Sequence, residues 1–159
     1  MSRIRASLVL IAVLLCSLVI VGWFILNYQS QVSRGRFGIH LLENDELVVS
    51  DEDIISYNKT SHEIKLTEKG IEKIRTLKVG VSGRPFVIKL DGREIYDGSF
   101  WHSLSSIPYS GIVINTYNTR DNTIRLEEGY PTPKYFKGID PRNNSEIFDH
   151  FQRIEKLAQ

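Results

Sequence analysis

The sequence predicts an α+β chain: one N-terminal transmembrane helix, then a mainly antiparallel sheet with helices packed on one face. Three observations lead there. An uncharged apolar run of 21 residues occupies positions 6–26. After it, short apolar segments are separated by turn signals, the pattern of half-buried strands. Two further segments place apolar residues at helical spacing behind capping residues.

The run is taken first. At about 1.5 Å per residue, about 20 apolar residues cross a hydrocarbon core roughly 30 Å thick. Trp23 and Tyr28 sit near its far end, where amphipathic rings favour the interface. Arg3 and Arg5 precede it closely, whereas Arg34 and Arg36 lie further off on the other side. That bias puts the N-terminus in the cytoplasm and the rest of the chain outside the cell membrane, as a single-pass protein. The run exceeds the roughly 7–15 residues of a secretory h-region, and Gln31-Val32-Ser33 is a poor cleavage site. An uncleaved anchor is therefore favoured over a cleaved signal. The expected organisation is a cytoplasmic tip and anchor at 1–27, a polar juxtamembrane linker at 28–44, and an extracytoplasmic domain at 45–159.

Charge and cysteine usage narrow the function. The 159 residues carry a formal net charge of +1, and 18 basic and 19 acidic residues follow the apolar run. A near-neutral domain has no field to attract nucleic acid, so none is expected as a partner. Cys16, the only cysteine, lies inside the run. The domain therefore has no disulfide, no thiol nucleophile and no thiolate metal site.

Strands are expected at 46–49, 54–57 and 62–66. Thr67 then caps an amphipathic helix over 68–77, with Ile71, Ile74 and Leu77 on one face. Strands at 85–90 and 93–96 flank Asp91-Gly92, a strong hairpin cue because both central positions of a type I′ turn need positive φ. Further strands are expected at 111–115 and 123–126, followed by an ordered loop over 127–144. Asn144 or Ser145 caps a last helix striped by Ile147, Phe148, Phe151, Ile154 and Leu157.

The segments HEIKLTEKGIEKI at 62–74 and PFVIKLDGREIYDGSF at 85–100 carry a resemblance. Residues 53–114 resemble the head of the first periplasmic domain of the protein-export subunit SecD: a strand ending at a threonine, a helix, then a hairpin turned by Asp-Gly. The resemblance covers under half of the chain and implies an extracytoplasmic interaction module. Transport does not carry over, because SecD has several membrane runs and a second domain. The layout as a whole resembles small single-pass membrane proteins of prokaryotes.

Motifs for chemistry are few. No His-Glu-x-x-His run exists, so neither a metal nor another cofactor is expected. His40 near Glu43 and Asp45 reads as a solvated edge, and His62 and His150 read as surface residues. Gly80-Val81-Ser82-Gly83 is not a nucleophile elbow. One segment stands out: Phe100, Trp101 and His102, followed closely by Ser105 and Ser106, between two expected strands. Loops on a rigid sheet often carry binding residues. The competing reading is that Phe100 and Trp101 plug the sheet and the serines make a turn. A second aromatic-proline segment holds Tyr130, Pro131, Pro133, Tyr135 and Phe136, as a lid over the sheet or a partner-contact loop. Phe100, Trp101, His102, Ser105, Ser106, Tyr130 and Tyr135 are thus the candidate binding residues. The expected function is a membrane-anchored extracytoplasmic protein- or peptide-interaction module, of the kind that serves as accessory to a membrane complex. The alternatives are a hydrolase or transferase using His102 with Ser105 or Ser106, and a structural membrane protein without ligand.

Overall fold

In the computed structural model the described residues are 36–158, together with Ser17 and Gly22. Nine strands form one mixed sheet with two short helices. Strand β1 is Phe37–Leu41, β2 Leu47–Ser50, β3 Ile54–Asn58, β4 Glu63–Leu66 and β5 Arg84–Leu90. Strand β6 is Arg93–Trp101, β7 Tyr109–Asn115, β8 Thr123–Tyr130 and β9 Leu157–Ala158. Helix α1 spans Glu68–Thr76 and α2 spans Ser145–Arg153. The spatial order is β2-β1-β5-β6-β7-β8-β4-β3-β9.

The fold class is therefore corrected. The domain is mostly β, and its sheet is mixed: β6–β7 and β3–β9 pair in parallel. Among the described residues no helix is long and apolar enough to cross a membrane. The run 6–26, expected to form the transmembrane helix, lies outside the described residues apart from Ser17 and Gly22.

Local signals explain the elements that were foreseen. Thr67 Oγ1 accepts the Gly70 N–H at the start of α1, and Asn144 Oδ1 accepts the Ile147 N–H at the start of α2. Each satisfies a backbone donor that the first helical turn leaves without a partner. Asp91 and Gly92 have φ of 56° and 76°, and they turn β5 into β6. Three departures stand out, and the first is at the C-terminal end: α2 stops at Arg153, and Leu157, expected on its stripe, lies in β9. Strand β1 occupies 37–41, in the stretch read as linker, with Phe37, Ile39 and Leu41 buried. Strand β8 runs on to Tyr130, through the first part of the expected loop.

One apolar cluster draws on eight of the strands and both helices. Its geometry shows that the sheet is rolled. Phe151 of α2 stacks on Tyr57 with centroids 4.9 Å apart and meets Phe37 at 5.0 Å. Tyr57 lies on β3 and Phe37 on β1, strands near opposite ends of the order. Both sides of the sheet thus curl onto one helix. Burial of each such aromatic contributes about 1.5–3 kcal/mol. A polar clasp at Asp51 holds the same region. Its carboxylate accepts the Phe37 N–H at 3.0 Å and lies 2.8 Å from His150 Nε2, while Lys156 Nζ donates to its carbonyl. His150 is fully buried, not on the surface as its charged neighbours suggested.

Parallel neighbours usually need a connection of a dozen residues or more. Here residues 102–108 alone return the chain from the end of β6 to the start of β7. This short crossover lies against Trp101, and it positions the site described next.

Candidate functional site

Successive residues of a strand point to opposite faces. Phe100 accordingly enters the core against Phe86, with centroids 5.0 Å apart. Trp101 is buried on the other face, against Tyr109 at 5.0 Å and Tyr130 at 5.8 Å. Ser105 is buried in the crossover; its hydroxyl donates to the Val81 carbonyl at 2.6 Å and accepts the Ile107 N–H. The Tyr130 hydroxyl is shared between the carbonyls of Ser103 and Ser105, at 2.8 and 3.0 Å. Trp101, Ser105 and Tyr130 together therefore build the crossover and its support. Ser106 is exposed, and Tyr135 lies in a separate 3₁₀ turn over Pro133–Tyr135.

His102 stands apart from them. Its ring packs on Tyr117 with centroids 4.3 Å apart, and its Nδ1 accepts the Leu104 N–H. Among the described residues no hydrogen bond joins it to Ser105 or Ser106, and no carboxylate lies behind it. The nucleophile–base contact that acyl or group transfer needs is not formed here.

His102 and Tyr117 line a cleft of about 670 Å³ together with Arg75, Leu77, Lys78 and Gly80. A second cleft of about 450 Å³ lies between β2 and the end of α1, walled by Glu46, Leu47, Val48, Lys73 and Arg84. Leu77 and Lys78 belong to both walls, so the clefts meet there. The walls carry four cationic side chains and one carboxylate, Glu46. Lys73 pairs with Asp53 at 2.7 Å and Arg84 with Glu43 at 2.6 Å. Burial pushes the Asp53 carboxyl upward, but hydrogen bonds from Lys73 and Ser50 outweigh it and hold the group below its ordinary value. Among the described residues Arg75 meets the neutral oxygens of Thr119 and Asn122 and no carboxylate, and Lys78 has no ion pair.

Exposed apolar side chains gather at the same end. The Ser105–Val81 bond brings the crossover, which carries Leu104 and Ile107, against the loop 79–83, which carries Val81. Leu104 is 80% exposed, Tyr117 63%, Val81 59% and Ile107 43%. Sequence reasoning found His102 through its aromatic neighbours. It missed Tyr117, Arg75 and Lys78, whose signal was a cationic helix end followed by exposed aromatic and apolar loop residues.

His62 was read as a surface residue but is only 6% exposed, with Nδ1 3.0 Å from the Tyr57 hydroxyl. Among the described residues no three His, Cys, Asp or Glu side chains gather as a metal site. Comparison with protein-family models, curated proteins and solved structures finds no match.

Proposed function

We propose that the 35–159 unit is a protein-interaction module that docks an acidic, apolar-containing segment of a partner protein. The observation that carries this reading is the coincidence at one end of the sheet. Exposed Tyr117 lines a cleft whose charged wall residues, Arg75 and Lys78, have no carboxylate partner among the described residues, and exposed Val81, Leu104 and Ile107 lie on the two loops, joined by the Ser105–Val81 bond, that run on from its walls at Gly80 and His102. Clustered exposed apolar residues rimmed by polar groups mark interaction surfaces. Tyrosine is a favoured anchor because it supplies large contact area at low entropic cost. Uncompensated cations at the rim select a partner of opposite charge and speed its approach. The short crossover, tied down by Ser105 and Tyr130, holds these loops in fixed positions, which lowers the ordering cost of binding.

A peptide array graded by charge and apolar content, probed with the full chain, tests this. Acidic peptides containing leucine or phenylalanine are retained, and the double variant Arg75→Glu/Lys78→Glu loses them. Tyr117→Ala weakens retention without lowering the melting temperature. Retention that ignores peptide charge, or preference for an oligonucleotide over any peptide, overturns the proposal.

A further inference from the structure

A third cavity, of about 450 Å³, lies beside β8, between the 60–62 turn and residues 131–133. Its polar groups divide into those already committed to one another and those left over. Arg142 is committed: Nε and Nη2 bind the two Asp140 carboxylate oxygens at 2.8 and 2.9 Å, and Nη1 binds the Leu126 carbonyl at 2.8 Å. Glu128 completes its shell at 3.2 Å. This saturated cluster is a fixed wall with little capacity for a ligand.

Three groups in the lining remain. His62 is buried, and its Nδ1 faces the Tyr57 hydroxyl. Among the described residues that hydroxyl has no other acceptor, so it donates to Nδ1; the reverse arrangement leaves a buried phenolic proton without a partner. The imidazole proton then sits on Nε2, which has no partner among the described residues. Burial, assisted by the Arg142 charge, holds His62 below its ordinary value, which favours the neutral ring. Arg125 uses Nε on the Ser61 carbonyl at 3.0 Å, and its terminal nitrogens meet no carboxylate among the described residues. Glu127 has no ion pair or hydrogen bond among the described residues, and burial pushes its carboxyl up, only partly offset by the Arg125 charge. A cation placed against Glu127 would offset that penalty. Arg125 and Glu127 lie two apart on β8, on one face, with Cα atoms about 7 Å apart.

We propose that this cavity binds a free α-amino acid, with its carboxylate on Arg125 and the His62 Nε2–H and its ammonium on Glu127. Neither charge alone fits the lining: an anion would lie beside Glu127, and a cation beside Arg125. A zwitterion answers both, through charge-assisted bonds of about 2.8 Å at each end. The volume falls within the range of small-molecule sites, and the cavity does not share a residue with the two clefts of the proposed docking face.

Titration of the full chain with L-alanine and L-leucine, followed by amide resonances of His62, Glu127 and Gly129, tests the assignment. Acetate and methylammonium serve as half-ligands. The amino acids shift these resonances saturably, and the half-ligands bind at least about tenfold more weakly. Glu127→Gln and Arg125→Met each weaken amino-acid binding by about tenfold or more. Glu127 is half-buried and Arg125 exposed, so both variants fold, as an unchanged thermal melt verifies. No saturable shift, half-ligands that bind equally well, or variants that bind like the parent overturns the proposal. The docking face is unaffected by either result, because its peptide array reads different residues.

Discussion

Replacing Arg142 by methionine removes a buried charge while keeping most of its volume, and the structure fixes what is lost. The side chain is 11% exposed and satisfies four acceptors: both Asp140 oxygens, the Leu126 carbonyl and Glu128. Methionine leaves two carboxylates facing each other without a cation. Breaking a buried pair costs about 3–5 kcal/mol. Asp140 and Glu128 keep 23% and 30% of their exposure, so water offsets part of this and the lower end, about 3 kcal/mol, is expected. For a domain of this size that corresponds to a fall of roughly 9–15 °C in melting temperature. The pH dependence separates this mechanism from simple loss of packing. Arg142 hydrogen bonds hold the Asp140 carboxyl below its ordinary value, with burial opposing them. A depressed carboxyl stabilises the fold fully above its unfolded value of about 3.9, and the contribution disappears as pH falls through the folded value. The gap between parent and variant is therefore widest near neutrality and narrows in acid. Urea unfolding followed by tryptophan fluorescence at neutral pH and at about pH 2–3 measures both quantities. A loss under about 1 kcal/mol at neutrality, or one undiminished in acid, refutes the reasoning.

Three other changes test the fold that carries the site. Phe151→Ala removes the ring on which Tyr57 and Phe37 converge and costs about 3–5 kcal/mol, read as a lower urea midpoint. Gly98→Ala places a Cβ 2.5 Å from the Ile112 carbonyl and the Phe86 ring, so it loses about 1–3 kcal/mol by overpacking, seen in the same assay. Ser105→Ala frees the crossover from Val81 at a cost of about 1 kcal/mol; hydrogen exchange accelerates at residues 102–108 and leaves the strands β3 and β4 unchanged.

The parts of the fold that were readable in the sequence are those decided within a few residues. Thr67 and Asn144 cap the helices from the position just before each, and Asp91-Gly92 turns a hairpin from its own backbone preferences. The parts that were missed depend on distant partners. Strand β1 has an alternating Phe37, Ile39, Leu41 pattern, but five residues become a strand here because β2 and β5 pair with them on either side. Nothing near 102–108 announces a parallel crossover, since the choice of β7 as neighbour is made by burial of Val113 and Ile114 across the whole sheet. The helical stripes therefore marked both helices but ran past their ends, at Thr76 and Arg153, while the strands were undercounted, seven expected against nine observed.

The candidate site divides along the same line. An aromatic cluster in sequence is ambiguous, because the residues that anchor a ligand are also those that fill a core. Strand alternation resolves part of it: consecutive Phe100 and Trp101 face opposite sides, so they never share one pocket, and only His102, just past the strand end, is left to meet solvent. The remaining site residues carry no local signature at all. Tyr57, His62, Arg125 and Arg142 belong to four separate stretches, and each taken alone reads as an ordinary strand or surface residue. Their chemistry exists only because the rolled sheet brings β3, the turn before β4, β8 and the segment before α2 together. A buried histidine backed by a tyrosine, next to a guanidinium already saturated by carboxylates, is a product of that topology, and so are Arg125 and Glu127 side by side without a salt bridge among the described residues.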